Sequence, residues 1–187
     1  SVAKRDEKGD FPFWFALKKK SDPKIIMLLF STFPSIVTET NNGWSTLFIA
    51  IRHCNELAVK LILDKQPEKA SVMSYDGNLH NDNNGWFPIH CAASNSNHEI
   101  VELILKAQPQ AATMKDKLGN LPFHYAAIWN KDPEVFKILL KAHPRSITEK
   151  DCRGDLPLYI AAKYNSNSEV VKLILEAHPE AAAEKNK

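Results

Sequence analysis

Gly119-Asn-Leu-Pro-Phe-His-Tyr-Ala126, followed by Glu134-Val-Phe-Lys-Ile-Leu-Leu-Lys-Ala142, carries the fold, because the chain repeats it. The first phrase returns as Gly9-Asp-Phe-Pro-Phe-Trp-Phe-Ala16, Gly43-Trp-Ser-Thr-Leu-Phe-Ile-Ala50, Gly85-Trp-Phe-Pro-Ile-His-Cys-Ala92 and Gly154-Asp-Leu-Pro-Leu-Tyr-Ile-Ala161. The second returns as Glu99-Ile-Val-Glu-Leu-Ile-Leu-Lys-Ala107 and Glu169-Val-Val-Lys-Leu-Ile-Leu-Glu-Ala177. The opening glycines are spaced by 34, 42, 34 and 35 residues, and a fixed period of this size marks a repeat architecture.

Punctuation residues keep the same register. Pro12, Pro88, Pro122 and Pro157 stand where a first helix begins, and Pro23 and Pro133 where a second begins, positions at which the missing N–H wastes no hydrogen bond. Pro34, Pro67, Pro109, Pro144 and Pro179 follow the second helix as stops, which accounts for all 11 prolines. Asp22, Asn55, Asn97, Asp132 and Asn167 precede the second helices as candidate N-caps. The register glycines fall in the turns between units, where a positive φ costs glycine little. Leu61, Ile62, Leu103, Ile104, Leu105, Ile138, Leu139, Leu140, Leu173 and Ile174 have the helical spacing of packing between units.

The long interval holds an insertion near residues 73–82, around Tyr75-Asp-Gly-Asn-Leu-His-Asn-Asp82, predicted to extend the turn as an exposed finger. The units are expected at about 5–38, 39–80, 81–114, 115–149 and 150–183, forming one domain over residues 1–187.

Composition narrows the function. With 44% hydrophobic residues the chain can build a core, and 24 basic against 22 acidic residues leave a net charge of +2, too small to favour nucleic acid as the partner. Cys54, Cys91 and Cys152 make an odd count with no disulfide framework, and no Asn-x-Ser/Thr acceptor occurs, which points to an intracellular, cytoplasmic or nuclear setting. The longest apolar run, Ile25 to Phe30, is far short of the roughly 20 residues a span needs, so no membrane insertion is expected.

The Gly-x-x-Pro-Leu-His-x-Ala-Ala pattern with its Glu-Ile-Val-Glu-Leu-Ile-Leu-Lys-Ala partner resembles the ankyrin repeat over essentially the whole chain. That resemblance implies an all-α solenoid of helix-turn-helix units joined by β-hairpin-like turns, with a concave face. Two departures stand out. The Thr of the family's Thr-Pro-Leu-His is Phe11, Phe87, Leu121 or Leu156 here, and its His is Trp14, Phe48, His90, His124 or Tyr159. Apolar packing is therefore expected to replace the family's Thr to His hydrogen bonding. The segments before Gly9 and after Pro179 resemble lead-ins to a unit, so the array is expected to continue at both ends.

No residues form a catalytic or metal constellation. His90-Cys91 and His53-Cys54 are adjacent pairs that diverge by about 100° on a helix and lack zinc-ligand spacing. The Asp and Asn residues of the insertion lack the calcium-loop order, and no phosphate-binding glycine loop, His-Glu-x-x-His or Gly-x-Ser-x-Gly occurs. Lys18-Lys19-Lys20 reads as a solvated helix end. Neither an enzymatic activity, a cofactor nor a small-molecule substrate is expected.

Ankyrin-like proteins hold partners at turn tips and on the inner side of the first helices. Carried across unit by unit, this implies a protein or peptide bound on the concave face by Trp44, Trp86, Trp129 and Tyr164, with Arg52, Asn120, Lys115, Lys150 and Arg153 around them. Such aromatics commonly dominate binding energy. For Trp86, which adjoins the insertion, packing against a neighbouring turn is an equal alternative. Trp14, at the repeat's His position, is expected in the core. Two rival readings are an architectural spacer or intramolecular regulatory arm, and nucleic-acid binding through stacked aromatics.

Overall fold

The computed structural model describes residues 4–7, 9–41, 44–73, 85–95 and 97–184. Ten α-helices among them pair into five antiparallel hairpins: α1 (Pro12–Lys18) with α2 (Pro23–Thr32), α3 (Thr46–Arg52) with α4 (Glu56–Lys65), α5 (Pro88–Asn95) with α6 (His98–Ala107), α7 (Pro122–Trp129) with α8 (Pro133–Ala142), and α9 (Pro157–Tyr164) with α10 (Ser168–Ala177). First helices stack on first helices and second on second along the chain. Helices of seven to ten residues are too short to stand alone in water, so their stability comes from this stacking. Ile62, Ile104, Leu139 and Ile174 form its buried spine, with Leu61, Leu103, Ile138 and Leu173 half-buried beside them.

Each stop proline opens a short 3₁₀ turn, Pro34–Thr38, Pro67–Ser71, Pro109–Thr113, Pro144–Ile147 and Pro179–Ala182. Gly9, Gly85, Gly119 and Gly154 all take positive φ. At Gly85 a Cβ would also lie 2.6 Å from the Met73 sulfur. Among the described residues one two-residue antiparallel ladder, Thr40–Asn41 with Trp44–Ser45, stands at the head of the second unit, just before α3. The expected inserted finger and Gly43 lie outside the described residues.

Four of the five expected caps accept a backbone N–H at the head of the second helix: Asp22, Asn55, Asp132 and Asn167. Asn97 does not, and its side chain makes no cap bond. At that hairpin His98 instead reaches across to the Asp132 carboxylate at 2.9 Å, tying the third unit to the fourth.

The expectation that apolar packing alone replaces the family's Thr to His contact is corrected. His90 Nδ1 accepts the Phe87 N–H at 3.1 Å and His124 Nδ1 accepts the Leu121 N–H at 3.0 Å. With Nδ1 accepting, each ring carries its proton on Nε2 and donates forward, His90 to the Asn120 carbonyl at 3.1 Å and His124 to the Glu149 carbonyl at 2.8 Å. The histidine thus needs only a main-chain N–H three residues before it, which Phe and Leu supply as well as Thr. In the first unit Trp14 is fully buried and its indole N–H donates to Thr46 Oγ1 at 2.9 Å, so a different ring makes the same bridge to the next unit.

Candidate partner-binding cleft

A cleft of about 360 Å³ opens between the first helices and turn tips of the third to fifth units. Of the residues the sequence proposed for binding, Trp86, Trp129, Tyr164, Asn120 and Arg153 line it. Trp44 and Arg52 lie elsewhere, in the second unit. There the half-buried Trp44 packs edge-on against Phe48 at 5.6 Å, with the Arg52 guanidinium 5.9 Å from its ring centre. Lys115 pairs with Glu149 at 2.7 Å, and Lys150 is exposed outside the cleft.

The four aromatic rings do not present themselves equally. Trp86 is only 9% exposed and belongs to the core cluster, packed on Tyr125 at 4.6 Å, which is the packing role its sequence position left open. Trp129 is 39% exposed and Tyr164 44%. Trp129 stacks nearly parallel on Tyr125 at 5.6 Å, which fixes its orientation before anything binds.

Tyr125 is in turn held from below. Its hydroxyl donates to Asp116 Oδ2 and accepts from Asn120 Nδ2 at 3.2 Å. Asp116 Oδ1 takes the N–H groups of Leu118 and Asn120, and Asn120 Oδ1 accepts the Cys152 N–H at 2.8 Å. Asn120 is therefore buried and committed to this network, so its part at the cleft is support. Burial, with the Asp116 carboxylate beside it, pushes the Tyr125 phenol well up and keeps it neutral. At the far wall the Tyr164 phenol is drawn below its usual value by a hydrogen bond from the Lys163 ammonium beside it, reinforced by the Arg153 charge.

Tyr125, Asp116 and Asp151 were not singled out in the sequence. A signal existed for the aspartates: Asp6, Asp116 and Asp151 each stand three residues before a register glycine and close its turn through backbone N–H groups. A second periodic device is Asn130 and Asn165. Each accepts the N–H two residues ahead and donates back to the preceding unit, Asn130 to the Ala93 carbonyl and Asn165 to those of Ala127 and Asn130.

The cysteine beside His90 has no nucleophilic character: burial pushes the Cys91 thiol up to about 12. Burial likewise pulls His90 down to about 4, so it is neutral. Among the described residues no group of three or more His, Cys, Asp or Glu side chains could hold a metal ion, and no helix is long and apolar enough to cross a membrane.

A family model describing ankyrin repeats in three copies matches residues 70–151 and again 108–187. Together these cover well over half of the 187 residues. The chain belongs to the ankyrin-repeat family. Its first two hairpins lie ahead of the matched residues yet have the same helix-turn-helix form and stack in the same order. Comparison with curated proteins gave no match.

Proposed function

We propose that this protein is a non-catalytic interaction module that binds a protein or peptide on the face formed by its first helices and turn tips. Ankyrin repeats are generally protein–protein interaction modules. The observation that carries the finer reading is the cleft. Trp129 and Tyr164 are large, exposed and held on neighbouring units, with Trp129 oriented by a buried polar network rather than left to order on binding. Rigid aromatics over a desolvated floor are the side chains that dominate interface energies. Arg153 and Lys150 would meet the rim of a partner.

The test is retention of a protein from cell lysate by the parent and by a Trp129→Ala, Tyr164→Ala double variant matched in helicity and melting. Loss of a retained protein only in the variant supports the face. Equal retention removes these anchors. Trp86 is left intact because its burial would confuse binding with folding.

A second reading, the architectural one, has its own observation. Phe15, Ile25 and Leu28 are 52%, 46% and 65% exposed, although their register counterparts in the fourth unit are covered: Tyr125, packed on Trp86 of the preceding unit, and Val135 are buried and Ile138 is half-buried. These exposed apolar side chains support a reading in which a further helical hairpin packs on this face. Extending the chain or adding a candidate neighbour would bury Phe15 and Leu28 and protect them from surface labelling. Unchanged labelling would count against it.

A further inference from the structure

The cleft sets aromatic rings beside carboxylates, and the two together select for the sign of a guest's charge. Asp151 and Asp155 stand in its lining, where Arg153 is the one cation among the described residues. Asp116 lies beneath, bonded to the Tyr125 hydroxyl. Asp151 Oδ1 accepts the Arg153 and Asp155 N–H groups, both at 2.8 Å, and Asp116 Oδ1 accepts those of Leu118 and Asn120. Accepting a neutral N–H removes no charge from a carboxylate; it fixes where that charge sits. Beside the lining, Lys163 holds its ammonium 5.0 Å from the Tyr164 ring centre. Three carboxylates at the cleft thus meet two cations, and the balance is negative.

The rings favour the same sign. The face of an indole or phenol is the negative end of its quadrupole and attracts cations. The fold already uses one ring in this way: Lys163 sits over Tyr164, and a hydrogen bond to that phenol, with the Asp155 charge behind it, raises the lysine's pKa. Trp129 is the exposed indole of the cleft, aimed by its stack on Tyr125. Leu118, Ile128 and Ile160 add aliphatic wall, and about 360 Å³ is near the lower end of pockets that enclose an organic group. A side chain that suits all three features has an apolar stem for the wall and a flat cationic head for a ring face and a carboxylate. Arginine has that form, since its methylene stem covers apolar surface while its weakly hydrated guanidinium stacks on aromatic rings and donates to carboxylates. A glutamate would be repelled by Asp151 and Asp155, and a leucine would leave their charge unanswered. Resting on the interaction-module reading above, we infer that this cleft seats one arginine side chain of a partner peptide, its stem along the aliphatic wall and its guanidinium against Trp129, with Asp151 and Asp155 as counter-charges.

The test is a titration read at the Trp129 indole N–H in proton–nitrogen NMR spectra, a resonance assigned by its loss in Trp129→Phe. The probe is a glycine and serine peptide of about nine residues with one central arginine, long enough to lie across a groove. Comparison peptides carry citrulline, lysine, norleucine or glutamate at that position, and citrulline keeps the shape of arginine while removing its charge. The arginine peptide should shift the resonance saturably and bind about tenfold more tightly than the citrulline and norleucine peptides. Lysine, compact and strongly hydrated, should bind more weakly than arginine, and glutamate should not bind. An Asp151→Asn, Asp155→Asn variant should lose most of the preference for arginine over citrulline, as should added salt. The amide oxygen introduced by Asp151→Asn can still accept the two turn N–H groups, and matched helicity and melting check that the turn is kept. Equal binding of citrulline and arginine, or an arginine preference unchanged in the double variant, overturns the cation seat. Lysine bound as tightly as arginine overturns the assignment to arginine, and tighter binding of glutamate overturns the sign of the charge. No shift with any probe overturns the inference altogether. In each case the lysate comparison judges the broader reading separately, because it assumes no particular ligand.

Discussion

The first and fourth units share one backbone frame and hold it with different balances of ring packing and hydrogen bonding. In the first, Phe11, Phe13 and Trp14 are buried and Phe11 meets Trp14 and Phe33 edge-on, so the hairpin is fixed by aromatic packing. In the fourth, the same stations carry Leu121, Phe123 and His124, and an Asp116, Asn120 and Tyr125 hydrogen-bond network is added to the ring contacts of Tyr125 with Trp129 and of Phe123 with Phe136. The difference matters at one station, where Phe15 is 52% exposed and Tyr125 only 5%. Covered by the third unit through Trp86, Tyr125 can be buried as a polar ring and used to aim the exposed Trp129, whereas Phe15 stands in solvent.

The largest test of that contrast uses one residue type at one station. Leu139 is 1% exposed, and Leu29, its counterpart in the first unit, is only partly buried. Leu139→Ala should cost about 2–5 kcal/mol. Leu29→Ala should cost less, about 1–2 kcal/mol, in proportion to the area it covers. Urea unfolding of both variants decides it, and equal losses would show that the first and fourth units are packed alike.

Acid separates the units next. His90 falls from 6.5 to about 4 in the folded protein because burial disfavours its charged form, and His124 moves in the same direction for the same reason. The unfolded chain therefore binds more protons, so stability rises with pH through this range and is lost as pH falls from 6.5 toward 4. From His90 alone the loss is about 2 kcal/mol at about pH 5. Trp14 and Phe48, at the same station, have nothing to titrate. Hydrogen exchange at about pH 5 should show the third and fourth units losing protection relative to pH 7. A uniform loss across all five would place the acid sensitivity elsewhere.

His98 works in the opposite sense. Its hydrogen bond to Asp132 raises its pKa, so its contribution is present below the unfolded value of 6.5 and fades as pH rises through the folded one. Asp132 is drawn down, the hydrogen bonds from His98 and the Glu134 N–H outweighing burial, so its contribution is lost as pH falls below its ordinary 3.8. Mutating His98 to Gln should flatten the melting temperature profile above about pH 6 without changing the acid limb set by His90.

What the sequence made legible follows from this same contrast. The glycine and proline register located every hairpin, because those residues act through their own backbone geometry and need no partner. Side-chain roles that depend on another unit were harder to read. Trp86 and Trp129 look alike as isolated tryptophans, and only Tyr125, placed between them by the next unit, decides that one is buried and the other exposed. The Asp116 to Tyr125 bond joins a turn to a helix nine residues on, a pairing that helix periodicity alone does not display. Asn97 failed as a cap although its type and position matched the others, since at that hairpin the link runs from His98 to Asp132.

The smallest expected effects lie where first helices end. In the first two units Lys20 and Cys54 take φ of 51°, each in a turn where its own N–H and the next reach back to carbonyls of the helix. In the fourth and fifth, Asn130 and Asn165 keep negative φ and hold the turn with side-chain bonds to the unit before. A left-handed non-glycine residue carries a steric cost that glycine avoids, partly offset by glycine's extra freedom when unfolded. Lys20→Gly should therefore stabilise by about 0.5 kcal/mol, whereas Asn165→Ala should cost about 1 kcal/mol by leaving the Ala127 and Asn130 carbonyls without their donor. Thermal melts of the two single variants and their combination would measure both. Since the sites are separated by three units, the effects should add. A departure from additivity would mean that the two ends communicate through the stack, which short-range packing between neighbouring hairpins does not predict.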